Sequence, residues 1–240
     1  MPSTPDLTAE SLYSTVEPLS DRVVLAAIAS VSPIVLTSLL IAGYVGVNGP
    51  GTEVSRLVVD TSYGVSALAV IGGVFVTLTD AEWRAAMPFE APSRSELGWT
   101  LACLPLAIGA FLVGSMAGEL LGFELSGVGY SLSDTLTLGA VVFGGVVVAP
   151  LVEELLFRGL LLGSLLDRGL SPLSAGAASV LLFAAIHIVS LGPAGVLAIA
   201  TWAVFPTLLR LKFDNLAGAW LLHLANNLWA YVVVVALGWA

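Results

Sequence analysis

The chain has 240 residues, of which 58% are hydrophobic and only 10% charged, against roughly 25% charged residues in an ordinary soluble domain. That balance excludes a water-soluble globule and predicts an all-α, polytopic membrane helix bundle. A net charge of −9 with only eight Lys and Arg excludes nucleic acid as a partner, because phosphate contacts need clustered cations, and the single cysteine, Cys103, excludes an intrachain disulfide and a thiolate metal cluster.

Residues 1–22 read as a polar, acidic N-terminal tail carrying Asp6, Glu10, Glu17 and Asp21. They lack the basic stretch and small-residue cleavage site of a signal peptide, so the first apolar run is expected to remain as a transmembrane helix. Residues 23–240 form one membrane domain. A hydrocarbon core of about 30 Å needs about 20 apolar residues per helix, and the hydrophobic runs divide into about seven spans, near 23–47, 58–78, 97–122, 135–166, 172–190, 193–210 and 215–238. Asn48-Gly49-Pro50-Gly51, Pro88 to Pro92, Asp167-Arg168-Gly169, Gly192-Pro193 and Lys212-Phe213-Asp214 supply the breaks.

With that division, Arg22, Arg84, Arg94, Arg168, Arg210 and Lys212 fall on one side of the membrane and Arg56 alone on the other. The positive-inside rule then places the N-terminus in the cytoplasm of a multi-pass cell-membrane protein. The fourth span is longer than a bilayer requires, and Pro150 predicts a kink in it, with Gly144 and Gly145 allowing close backbone approach. Gly114, Gly118 and Gly122 form a small-x-x-x-small packing series in the third. Trp83, Trp99 and Trp239 lie near segment ends as interfacial anchors, whereas Trp202 and Trp229 lie mid-segment, near any internal cavity.

Charge inside an apolar helix costs free energy, so it usually pairs and marks function. The fourth span carries Glu153, Glu154 and Arg158 and no other charge between Thr135 and Leu166. Glu154 and Arg158 are at i and i+4, about 40° apart around a helix, and are expected to pair. Glu153 points elsewhere and is the candidate general base, because apolar surroundings raise a carboxylate's pKa towards the useful range. The only two histidines, His187 and His223, lie inside later apolar segments, and His223 shares a helical face with Asn227 four residues on. Counted from the cytoplasmic helix ends at 1.5 Å per residue, Glu153, His187 and Asn227 lie ~21, ~22 and ~20 Å deep and His223 ~14 Å. That common level predicts one shared site.

Taken in order, Glu153-Glu154-x-x-x-Arg158, Phe183-x-x-x-His187 and His223-x-x-x-Asn227 resemble the CPBP family, which includes the type II CAAX prenyl endopeptidases and the lysostaphin resistance protein A-like group. The resemblance covers about residues 135–238. It implies an intramembrane endopeptidase acting on a peptide or lipidated protein substrate at the bilayer, with a prenylated CAAX-type peptide as one class. Glu153 would activate the attacking water, and His187, His223 and Asn227 would complete the centre and stabilise the oxyanion. Two imidazoles and a carboxylate, His187, His223 and Glu153, also form a conceivable zinc set, although no His-Glu-x-x-His helix is present. The family's metalloprotease label therefore stands beside a metal-independent glutamate mechanism. A non-catalytic peptide-binding or bacteriocin-immunity-type membrane protein is the alternative. A proton-coupled transporter fits less well, since the polar helix centres occupy only the second half of the chain.

Overall fold

The computed structural model describes residues 18–127 and 129–238. Most of the expected acidic tail, residues 1–17, and the expected anchor Trp239 lie outside the described residues. In chain order the helices are α1 Val23–Asn48, α2 Arg56–Thr77, α3 Asp80–Ala86, α4 Arg94–Leu120, α5 Thr135–Asp167, α6 Pro172–Ile186, α7 Ile188–Phe213 and α8 Ala217–Ala236. Six of these, all but α3 and α6, are long and apolar enough to cross a membrane. The 172–190 segment, expected as a span, is a 15-residue apolar helix, about 22 Å long and short of a full crossing.

The radial distribution of side chains is that of a protein dissolved in lipid. Val24, Leu39, Val47, Phe75, Val76, Leu101, Leu112, Leu136, Leu173 and Leu181 are exposed on the outside of the bundle, while Asp60, Glu96, Glu153, Glu154, Arg158, Thr207, His223 and Asn227 are buried within it. Apolar side chains lose nothing by facing lipid, whereas polar groups must find partners inside. The chain is thus an all-α, multi-pass membrane bundle.

Helix α5 is the central pillar, with 56% of its apolar window buried against 22–28% for the other five long helices. Its winding widens twice. Val141–Val148 and Glu154–Leu161 are π-helical, separated by an α-helical stretch Ala149–Glu153 that contains Pro150. The expected proline kink is therefore expressed as widened turns, in which Ala149 N–H bonds Gly144 O and Leu162 N–H bonds Phe157 O, each five residues back. Such insertions re-satisfy a ladder that proline interrupts.

Glycines set how closely the neighbours approach. A Cβ at Gly144 would meet the backbone carbonyl of Asp60 in α2, and one at Gly64 would lie 2.5 Å from the Phe143 ring. Helices α4 and α7 pack along their length, with Gly114 and Gly118 against the backbones of Ala198 and Ala194 at 2.7 Å from a virtual Cβ. Gly122 does not continue this seam: it has φ 84° and no close neighbour, and its N–H bonds Glu119 O as the chain leaves α4.

The start of α8 is fixed from outside the helix. The buried Glu96 carboxylate of α4 accepts from Gly218 N–H at 2.8 Å and from Asn215 Nδ2 at 3.0 Å, and Asn215 Oδ1 accepts from Ala217 N–H at 3.2 Å. These bonds satisfy donors that a helix N-terminus leaves open, and a negative charge there complements the helix dipole. They set the height of the helix that carries His223 and Asn227. At the same end Arg22 donates to Glu82 at 2.6 Å. That bond, with burial opposing and the Thr79 cap assisting, lowers the Glu82 carboxyl to about 2.

Candidate active site

Glu153, His187, His223, Asn226 and Asn227 line one cavity of about 340 Å³, together with Arg56, Asp60 and Tyr63 of α2, Gly145 and Ala149 of α5, and Phe183, Trp202 and Tyr231. The cavity also touches Gly127 and the Val189–Leu191 turn. It therefore lies towards the end of the bundle formed by residues 49–55, 121–127, 129–134 and 187–192, opposite Arg22, Arg84, Arg94, Arg168, Arg210 and Lys212. Glu153, His187, His223 and Asn227, expected at one level from helix counting, all line it.

The two adjacent carboxylates are separated by the helix as their spacing requires. Glu154 is fully buried and pairs with Arg158 at 3.1 Å. Arg158 is also fully buried; it donates to Ala203 O at 3.2 Å and Thr207 Oγ1 at 3.3 Å, and its guanidinium carbon lies 4.3 Å from the Phe183 ring centroid. Neither residue lines the cavity. Glu153, one position earlier, faces it and accepts a short hydrogen bond from Tyr63 Oη.

His223 stands between them. Its Nδ1 lies 2.8 Å from Glu154 Oε1 and its Nε2 is 3.7 Å from Glu153 Oε2. An ionised carboxylate can only accept, so its contact with Glu154, itself held by Arg158, places a proton on Nδ1, and in the neutral imidazole Nε2 is then the acceptor nitrogen, facing Glu153. His187 reaches the same tautomer by another route. It closes the C-terminus of α6, and its Nδ1 lies 2.7 Å from Phe183 O, an acceptor, which again leaves Nε2 bare. Phe183 packs against both rings and Trp202 against one: the Phe183 centroid is 4.7 Å from His187 and 6.0 Å from His223, and Trp202 is 4.7 Å from His223. Trp202 thus borders the cavity as expected; Trp229 is not among the residues lining it.

Asn227 answers a backbone defect. Within α5, Gly145 O has no helical donor at position 150, which is proline, and Ala149 N–H is committed to Gly144 O. Asn227 Nδ2 donates to Gly145 O at 2.9 Å instead. One amide hydrogen is so occupied and the other remains for the cavity.

The conceivable zinc set is not assembled. Among the described residues no group of three or more His, Cys, Asp or Glu is placed to hold a metal ion.

Sequence reasoning missed Tyr63, Arg56, Asp60 and Tyr231. The available signal was the i, i+4, i+7 spacing of Arg56, Asp60 and Tyr63, which puts three polar groups on one face of α2. Arg56 Nε donates to Asp60 Oδ2 at 2.7 Å, and its guanidinium carbon is 4.7 Å from the Tyr231 ring centroid and 5.3 Å from that of Tyr130.

Comparison with known families matches residues 135–229 to the family model described as type II CAAX prenyl endopeptidase Rce1-like. The matched stretch contains Glu153, Glu154, Arg158, His187, His223 and Asn227, and it is consistent with the CPBP resemblance. Neither the curated proteins nor the solved structures yield a match.

Proposed function

We propose, from the match of residues 135–229 to the Rce1-like type II CAAX prenyl endopeptidases, that this chain is an intramembrane endopeptidase whose general base is Glu153. The observation that carries the reading is the position of that carboxylate. It faces a polar-lined cavity inside an apolar bundle, with the imidazole of His223 held beside it by a second, fully buried ion pair.

In this mechanism Tyr63 fixes the Glu153 carboxylate by donating to one oxygen. The other oxygen takes a proton from a water molecule, and the resulting hydroxide attacks the peptide carbonyl carbon. The second amide hydrogen of Asn227 stabilises the oxyanion; such a donor in a water-poor site is worth several kcal/mol. The Nε2 atoms of His187 and His223 serve as hydrogen-bond acceptors that orient the attacking water. The proton gained by Glu153 then passes to the departing amine as the C–N bond breaks. Glu154 and Arg158 act through His223, fixing its tautomer and ring plane, as carboxylate partners of functional histidines do elsewhere.

The substrate class is a peptide presented at the membrane, and a prenylated CAAX-type peptide is the first probe. We also propose that the N-terminus is cytoplasmic, since the six basic residues away from the cavity lie at one end of the bundle.

A fluorogenic lipidated peptide assay on the purified protein tests the reading. Glu153→Gln should lower the cleavage rate by about 10²–10⁴-fold, the usual contribution of a general base, while the thermal unfolding midpoint stays near that of the wild type. A chelator should leave wild-type cleavage unchanged. Cleavage by Glu153→Gln at the wild-type rate would remove Glu153 from the chemistry, and peptide binding by the wild type without any hydrolysis would favour the binding-only alternative.

A further inference from the structure

Asn226 lines the cavity beside Asn227, and the proteolytic mechanism leaves it without a role. Its orientation is fixed by a relay that begins in α5. Proline at position 150 leaves Gly145 O open, and a carbonyl oxygen only accepts, so Asn227 turns its Nδ2 amine to it at 2.9 Å. The other end of that amide, Asn227 Oδ1, accepts from Asn226 Nδ2 at 3.3 Å. Asn226 thereby commits its amine end to a neighbour. Its own carbonyl end, Oδ1, receives no hydrogen bond from the described residues, and the side chain is half-buried on the cavity wall.

Two adjacent residues of α8 therefore present one donor and one acceptor. The donor is the second amide hydrogen of Asn227, which stabilises the oxyanion in the proteolytic mechanism, and the acceptor is Asn226 Oδ1. An extended peptide offers the complementary pair, since the N–H and C=O of a single residue point to the same side, where a sheet exchanges both with one residue of the partner strand. A peptide inside an apolar bundle cannot leave its N–H groups to water, so each needs an acceptor from the protein. Other acceptors on the wall are engaged. Glu153 takes the Tyr63 bond and the attacking water, Asp60 takes Arg56 at 2.7 Å, and the imidazole nitrogens orient the water. With the scissile carbonyl on Asn227, the N–H of the residue that carries this carbonyl is directed to the side of Asn226.

Resting on the protease reading, we propose that Asn226 is a specificity-determining residue whose Oδ1 accepts the backbone N–H of the substrate residue whose carbonyl is attacked. Asn226 and Asn227 grip that residue as one residue of a neighbouring strand would. They select a chain that is extended and bears an N–H at this point, and they disfavour proline there, which has none. Asn226 occupies one of the unspecified positions of His223-x-x-x-Asn227, so the pattern that marks the centre does not itself announce this contact.

The test uses the full-length protein in nanodiscs and a series of lipidated peptides, each N-methylated at one residue, with the scissile bond located by mass spectrometry. The wild type should discriminate by at least about tenfold in kcat/KM against methylation at the residue that supplies the scissile carbonyl, the scale of one lost hydrogen bond and a stranded acceptor. Asn226→Ala should slow cleavage of the unmodified peptide and lower that discrimination about tenfold. Discrimination against methylation one residue earlier, where the N–H points to the opposite side, should not change. Binding of the series to Glu153→Gln, with and without Asn226→Ala, read by fluorescence anisotropy, should show the same pattern without cleavage. A wild type indifferent to methylation at the scissile residue would overturn the proposal. So would an equal loss by Asn226→Ala on methylated and unmodified peptides, which would leave Asn226 as an orienting partner of Asn227. Binding that discriminates at one position through Asn226, without wild-type hydrolysis of any peptide, would support the acceptor while removing the protease reading. Should Asn226→Ala not fold, Asn226→Ser, which withdraws the carbonyl and keeps a hydroxyl donor, takes its place with the same expected loss of discrimination.

Discussion

Glu153 and Glu154 are neighbours in sequence with opposite surroundings, and the difference follows from one residue of helical rotation. Glu154 meets Arg158 and His223 inside the protein, whereas Glu153 meets Tyr63 and the cavity. The Tyr63 bond leads to a prediction. Tyr63→Phe removes one donor to a carboxylate, an interaction worth about 1.5–3 kcal/mol. The variant should lose about ten- to a hundredfold in kcat with little change in KM, measured by steady-state cleavage; a rate equal to wild type would show that Glu153 needs no such partner. The six candidate residues in the second half of the chain were legible because charge and imidazole are conspicuous in apolar helices, and helical angle alone divided the carboxylates. Tyr63 and Arg56 were not. A tyrosine within a span reads as an amphipathic packing residue, and an arginine at a helix end reads as solvated. Only the fold brings that face of α2 up to Glu153.

At the scale of the element, the helix limits were readable because apolar runs ended at Gly, Pro and charged clusters. The break at Gly192 is a case in point: φ 70°, ψ −174° there suits glycine, with Pro193 beginning the next helical stretch. The π-helical winding of α5 was not readable, since periodicity in a uniformly apolar segment has no contrast. Pro150 announced a disturbance without its form. The winding places Gly144 against the α2 backbone, where an added methyl group would collide with Asp60 O. Backbone cannot rotate aside as a side chain can, so Gly144→Ala should cost at least the roughly 1–3 kcal/mol of an overpacked core. It should also separate Tyr63 from Glu153. Unfolding in detergent should show a lowered midpoint together with lost cleavage; a variant with wild-type stability would mean that α2 can slide. Glu96→Ala tests the other end of the site, since it strands the buried donors of Gly218 and Asn215. A loss of about 1–3 kcal/mol is expected from each donor left unpaired, again read from unfolding.

For the molecule as a whole, membrane character followed from composition, and the inside-out distribution of polar side chains gives it a structural form. Arrangement across the bilayer carries a prediction of its own. With the N-terminus cytoplasmic, a cysteine at exposed Glu124 in a Cys103→Ser background should react with a membrane-impermeant maleimide on intact cells. One at Glu90 should react only after permeabilisation. The reversed pattern would turn the cavity towards the cytoplasm, where prenylated proteins are displayed, and would invert the orientation proposed above.

Most of the cavity wall comes from two parts of the chain. Residues supplying the carboxylate, both imidazoles and the amide lie within 135–229, while Ile34, Thr37, Ser38, Ile41, Arg56 and Tyr63 come from the first two helices. Under the protease reading, the groups proposed for bond breaking, Tyr63 apart, and much of the wall a substrate would touch thus come from separable lengths of polypeptide. Chimaeras that exchange α1 and α2 between relatives, keeping Tyr63, would redirect such a protease to new sequences while leaving its reactive machinery untouched.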